Sequence, residues 1–153
     1  DLLTVYHNIK INKLLNGGTY SDDPEDAIYH YIGTPVKTVI ASDAFPSDAF
    51  IRAYDESLQS WQNINGNDTL IPGAGYSVYL PSGNNLISFE DSLVNNNITF
   101  TNLSLTGDIT SYSGFHLLSN PFTASIDWDL IEKQNIASTV YIWYNGDYID
   151  GTD

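Results

Sequence analysis

Strand-length runs, each closed within roughly ten residues by a Gly, Asn or Pro turn, run the length of this sequence and leave little room for a helical fold. In the first run Leu3, Val5, His7, Ile9 and Ile11 alternate with Thr4, Tyr6, Asn8 and Lys10. A period of two sends successive side chains to opposite faces of a strand. Asn16-Gly17-Gly18 is a strong turn. Further strands are expected over 27–32, 36–40, 50–54, 76–80, 86–89, 98–105, 114–118 and 140–144, with 42–48 and 63–68 as loops. Asn145-Gly146-Asp147 suits a hairpin turn because Asn and Gly tolerate positive φ, and Tyr148 and Ile149 begin a return strand. One helix, of one or two turns, is expected over 127–133, capped by Asp127, with Trp128 filling the core. This pattern predicts an all-β chain: a β-sandwich, jelly-roll-like, with at most one short helix.

Composition supports the pattern and removes several function classes. Tyr, Ile and Thr favour strands, while Asn, Gly, Ser and Asp favour turns. With 42% hydrophobic residues in 153, the chain can bury a core without staples, and it has no cysteine to form any. Nineteen acidic residues face five basic ones, Lys10, Lys13, Lys37, Arg52 and Lys133, for a net charge of −14. Nucleic acid and anionic membrane surfaces both demand clustered Lys and Arg, so neither is an expected partner. No apolar run is long enough to span a bilayer. The chain lacks methionine and starts at Asp1, so it is expected to be a mature or excised segment.

Two stretches share an order of features. Tyr31-Ile32-Gly33-Thr34-Pro35 is followed by Phe50 to Asp55 and then Trp61; Leu117-Leu118-Ser119-Asn120-Pro121 is followed by Val140 to Asn145 and then Tyr148. The echo suggests a single domain made of two related halves, about 1–105 and 106–153, the second cut short.

Four segments together resemble a module of Bacteroidetes secreted and cell-surface proteins that precedes the type IX secretion sorting domain. They are Tyr31 to Pro35; Tyr54-Asp55 followed by Trp61; Leu70-Ile71-Pro72-Gly73-Ala74-Gly75-Tyr76-Ser77-Val78; and the most specific, Gly114-Phe115-His116-Leu117-Leu118-Ser119-Asn120-Pro121, continuing to Ile126-Asp127-Trp128. Ser119 stands where that pattern usually has Gly, and its closing glutamine-glycine-aromatic strand is absent. The resemblance implies secretion or surface display and a β-rich architecture, with the other domains of the same polypeptide as partners. It brings no catalytic residue set.

Candidate sites are few. Trp61, Trp143 and Tyr148, with Tyr144, form a possible row for stacking on sugar rings, against cross-strand aromatic pairing as the plainer account. Asp147, Asp150 and Asp153 surround Gly151 and offer oxygen ligands for calcium, though not at EF-hand spacing; Asp22, Asp23, Glu25 and Asp26 form a second acidic loop. No other cofactor is expected. Asp68-Thr69-Leu70 and Asp91-Ser92-Leu93 resemble the Asp-Ser/Thr-aliphatic signal for O-glycosylation in this bacterial group, which makes Thr69 and Ser92 modification candidates. His7, His30 and His116 are scattered, and neither a nucleophile elbow nor a zinc-protease motif occurs. The expectation is a non-catalytic spacer or adhesion module, with a carbohydrate-binding module as the alternative; glycan or a surface protein would be the outside partner.

Overall fold

The computed structural model describes residues 8–18, 28–101, 103–107, 113–144 and 147–150. They are mostly β, in small antiparallel sheets. In chain order the strands are β1 (Ile9–Gly17), β2 (Tyr29–Ile32), β3 (Val39–Ile40), β4 (Phe50–Asp55), β5 (Ser60–Ile64), β6 (Thr69–Leu70), β7 (Tyr76–Tyr79), β8 (Gly83–Asp91), β9 (Tyr141–Tyr144) and β10 (Asp147–Asp150). Contacts divide the chain into two compact units, Asp1–Thr123 and Ala124–Asp153.

The first unit is built around a four-stranded sheet in the order β2-β7-β4-β5 and a two-stranded ribbon of β1 with β8. The ribbon stays in register from Ile9 opposite Asp91 to Gly17 opposite Gly83. A short third pair, β3 with β6, sets Val39 opposite Leu70. Alternation along the strands explains where the core lies. Ile51 on β4, Tyr76 and Val78 on β7, and Ile87 and Phe89 on β8 are all buried, and Ile9, Leu15, Ile32, Ala53 and Ile64 pack against them. Each fully buried aliphatic side chain here contributes about 1.5–3 kcal/mol relative to exposure. Phe45 meets Phe89 edge-on at 5.9 Å.

Several expectations shift in position. The first strand runs on through Gly17 rather than stopping before a turn at Asn16; Leu3, Val5 and His7 lie outside the described residues, as does the acidic loop of Asp22, Asp23, Glu25 and Asp26. An α-helical turn, α1 (Ala41–Ala44), replaces the start of the expected 42–48 loop. Its small residues allow tight winding: Ala41 and Ala44, three apart, are both buried, and the Phe45 amide closes the turn on the Ala41 carbonyl at 3.0 Å before Pro46. The expected helix at 127–133 is a three-residue 3-10 turn, Trp128–Leu130. Asp127 does cap it, its carboxylate accepting from the Asp129 amide at 3.0 Å. Trp128 does not fill a core: it is half-buried, donating its indole N–H to the Ser138 carbonyl at 2.6 Å, with the Lys133 ammonium 4.9 Å from its ring centre.

Among the described residues, the expected strands at 98–105 and 114–118 do not form ladders. Both segments are fixed without regular pairing. Ile98 and Phe100 lie over Gly73, where an added Cβ would come within 2.5 Å of the Phe100 ring. Leu118 bridges Ala74 alone, the Gly75 amide donating to the Leu117 carbonyl at 3.0 Å and the Ser119 amide to the Gly73 carbonyl at 2.8 Å. The close approach depends on missing side chains: a Cβ on Gly75 would sit 2.6 Å from Leu117, and one on Gly33 would sit 1.9 Å from the Ser119 hydroxyl. Three of the four segments that carry the resemblance thus meet at one point, Gly33, Gly73 to Gly75 and Leu117 to Ser119.

In the second unit β9 and β10 pair antiparallel, with Tyr144 opposite Asp147; the expected Asn145-Gly146 turn lies outside the described residues.

Candidate functional site

The four-stranded sheet has two unlike faces. Its inner face is the core just described. Its outer face carries the alternate residues: Tyr29 and Tyr31 on β2, Ser77 and Tyr79 on β7, Phe50, Arg52 and Tyr54 on β4, and Trp61 and Asn63 on β5. Register sets them in rows. Tyr29, Tyr79 and Phe50 form the first, Tyr31, Ser77, Arg52 and Asn63 the second, and Tyr54 with Trp61 the third.

Ser77, in the middle row, is 3% exposed and the smallest side chain on this face. The Tyr31 and Trp61 rings stack, with centres 6.2 Å apart and planes 30° apart. Tyr54 abuts Trp61 edge-on at 5.4 Å, and Tyr29 meets Tyr79 at 5.8 Å. Into this field of rings β4 projects Arg52. Its guanidinium carbon lies 5.4 Å from the Tyr29 ring centre, 5.2 Å from Phe50 and 5.5 Å from Trp61. Phe50 remains 44% exposed, and the other rings of the face are half-buried.

Arg52 is left unfinished as a hydrogen-bonding group. Its Nε is buried with no hydrogen-bond partner, and no carboxylate pairs with it among the described residues. Lys10, by contrast, is paired with Glu90 at 3.2 Å. The balance at Arg52 is close to even. Each cation–π contact contributes about 0.5–1 kcal/mol at exposed sites. A buried N–H without an acceptor costs about 1–3 kcal/mol. The fold therefore gains little from keeping an arginine here.

A second charged group, four residues on, is treated in the opposite way. Glu56, in the β4–β5 connection, is 2% exposed. Its carboxylate accepts from the Ser104 hydroxyl at 2.5 Å, the Thr106 amide at 2.7 Å and the Gly114 amide at 3.0 Å. These donors, led by the Ser104 hydroxyl, hold its pKa down at about 2 against desolvation. Gln59, at φ 48°, adds bonds from its side-chain amide to the Thr106 carbonyl and the Ser113 hydroxyl. Asp55 secures the turn itself, accepting from the Ser57 hydroxyl at 2.6 Å and the Leu58 amide at 3.2 Å; the Ser57 bond lowers its pKa. This cluster is a clasp for the loop that follows Leu103.

The sequence-derived candidates are dispersed. Trp61 belongs to the aromatic face, whereas Trp143 and Tyr148 are cross-strand partners in the β9–β10 hairpin of the second unit. Asp147 and Asp150 begin and end β10, opposite Tyr144 and Tyr141, and Asp153 lies outside the described residues. Among the described residues no group of three His, Asp or Glu is placed to hold a metal ion. Thr69 is exposed on the short strand β6, beside an Asp68 carboxylate that accepts from the Asn65 amide at 2.6 Å. Ser92 is half-buried, and its carbonyl accepts from the Lys37 amide at 3.0 Å. His30 and His116 each place Nε2 on a backbone carbonyl, of Asn16 at 2.7 Å and Ser104 at 2.9 Å, which are structural contacts.

Reasoning from the sequence missed Arg52 and most of the rings around it. The signal was available: Phe50, Arg52 and Tyr54 alternate with Ile51 and Ala53, as Tyr29 and Tyr31 do with His30. Aromatic residues on the side of a strand away from its aliphatic residues mark a second covered face. No family model matches the chain, and no curated protein or solved structure matches it either.

Proposed function

We propose that this chain is a non-catalytic β-sandwich module of a secreted or cell-surface bacterial protein, of the kind that precedes a type IX secretion sorting domain, and that it acts as an adhesion or interaction domain. The observation that carries this reading is the outer face of the four-stranded sheet, where six aromatic side chains share the face with Arg52, whose buried Nε has no hydrogen-bond partner. A sandwich accords with a core bounded by the inner face of that sheet and by the β1–β8 ribbon. Three of the segments resembling the surface module approach one another closely around Gly33, Gly75 and Ser119.

Carbohydrate binding is the second reading, and the same face favours it. Aromatic rings with mixed polar neighbours suit the apolar faces of sugars, whereas a mere spacer needs no such surface. An immobilised glycan array tests both. Saturable binding that Phe50→Ala weakens supports a contact surface on this face; uniform absence of binding leaves only the spacer. Thr69 supplies a separate test of surface export. A glycan there adds mass to the natively secreted protein, and Thr69→Ala removes it; an intact mass equal to that of the polypeptide rejects the modification.

A further inference from the structure

We infer that the outer sheet face is a binding site for a saccharide carrying an isolated carboxylate, with Arg52 as the group that recognises the charge; the inference rests on the reading of this face as a contact surface. Three observations support it. Arg52 is the cation at the centre of the face, ringed by Tyr29, Phe50 and Trp61. It has no carboxylate partner among the described residues, in a chain where acidic residues outnumber basic ones nineteen to five. Its retention is close to neutral for the fold, by the balance of ring contacts against an unbonded buried Nε.

The chemistry of the ligand follows from these features. A guanidinium presents parallel N–H donors that match the two oxygens of a carboxylate. The flanking rings present π faces that attract the electropositive C–H face of a pyranose. A uronic acid joins both features within one residue. The net charge of −14 disfavours long polyanions. The fitting ligand therefore has carboxylates spaced among neutral sugars, rather than one on every residue.

The test uses calorimetric titration of the whole chain with three probes: a xylotetraose bearing one glucuronic acid branch, the methyl ester of that oligosaccharide, and a short aspartate-containing peptide. The expected result is binding of the acid roughly tenfold tighter than of its ester. Arg52→Gln abolishes the difference, and Arg52→Lys, which keeps the charge but not the planar fork, loses most of it. Thermal melts within a few degrees of the parent show that both variants are folded. Phe50→Ala weakens acid and ester alike. Equal binding of acid and ester overturns the role of Arg52 while leaving a sugar-binding face in place. Peptide binding as tight as that of the acid overturns the saccharide assignment. Absence of binding by all three probes overturns the inference outright, whereas glycan-array binding lost in Phe50→Ala would still uphold the contact surface.

Discussion

Glu56 and Arg52 lie in the same hairpin, four residues apart, one in its turn and the other on its strand, and the fold treats them differently. Glu56 is buried with its carboxylate fully engaged by Ser104, Thr106 and Gly114, donors from about fifty residues further along the chain. Arg52 lies against aromatic side chains, and its buried Nε has no hydrogen-bond partner among the described residues. A charge that is saturated by the fold has no bonding capacity for anything else. A charge that costs nearly as much as it contributes is the one whose purpose lies outside the fold. The difference separates a structural site from a functional candidate in the same hairpin.

The largest expected effect comes from breaking the saturated side. Glu56→Ala leaves three donors without their acceptor and releases the loop after Leu103. Its melting temperature falls further than that of any substitution on the aromatic face, and the Thr106 and Gly114 amides exchange at loop rates in hydrogen-exchange measurements. If those amides stay protected, Glu56 is not the clasp. The same group sets an acid dependence. Its folded pKa of about 2 lies below the ordinary 4.5, so the unfolded chain takes up the proton first as pH falls. The stability it contributes is complete above pH 4.5 and is lost as pH falls through about 2. Denaturant midpoints followed across that window decline more steeply for the parent than for Glu56→Gln, which has no proton to take up. Parallel slopes would remove Glu56 from the account.

The contrast was only partly legible in the sequence. Strand-forming residues bounded by Gly, Asn and Pro turns identified β2, β4, β7 and β9, because both signals are local properties of the sequence. The Asp127 cap was visible for the same reason. The same signals misled at 98–105, where Ile98 and Phe100 lie against Gly73, a glycine far away in the chain, and the described residues join no ladder. Glu56 looked like an ordinary turn residue, since nothing near it announces donors at positions 104, 106 and 114. Arg52 was hidden for a different reason. Its strand position was readable, but the absence of an acidic partner among the described residues emerges only when the strands are in register.

A smaller effect sharpens the structural side. The loop fastened by Glu56 is fastened again at Ser119, whose hydroxyl donates to the Ala74 carbonyl at 2.8 Å while sitting against Gly33. Ser119→Ala removes that one bond and leaves the close approach intact, so the cost is about 0.5–1.5 kcal/mol in a denaturant titration. Gly33→Ala, which forces a methyl into the Ser119 side chain, costs more. If Gly33→Ala is the milder of the two, the contact is looser than its geometry indicates, and the clasp at Glu56 stands alone.

The smallest expected effect is the most telling for the comparison. Arg52→Met keeps an unbranched side chain of similar length among Tyr29, Phe50 and Trp61. It gives up the cation–π contacts, at about 0.5–1 kcal/mol each, and also removes a buried N–H that lacks an acceptor, worth about 1–3 kcal/mol. The two nearly cancel, so stability changes by less than about 1 kcal/mol in either direction, read as a denaturant midpoint close to that of the parent. A residue retained for the fold would not behave so. Destabilisation by Arg52→Met comparable to that of Glu56→Ala would mean that the guanidinium finds acceptors in solution. Both charges on the hairpin would then be structural, and the outer face would lose the feature that distinguishes it from ordinary aromatic packing.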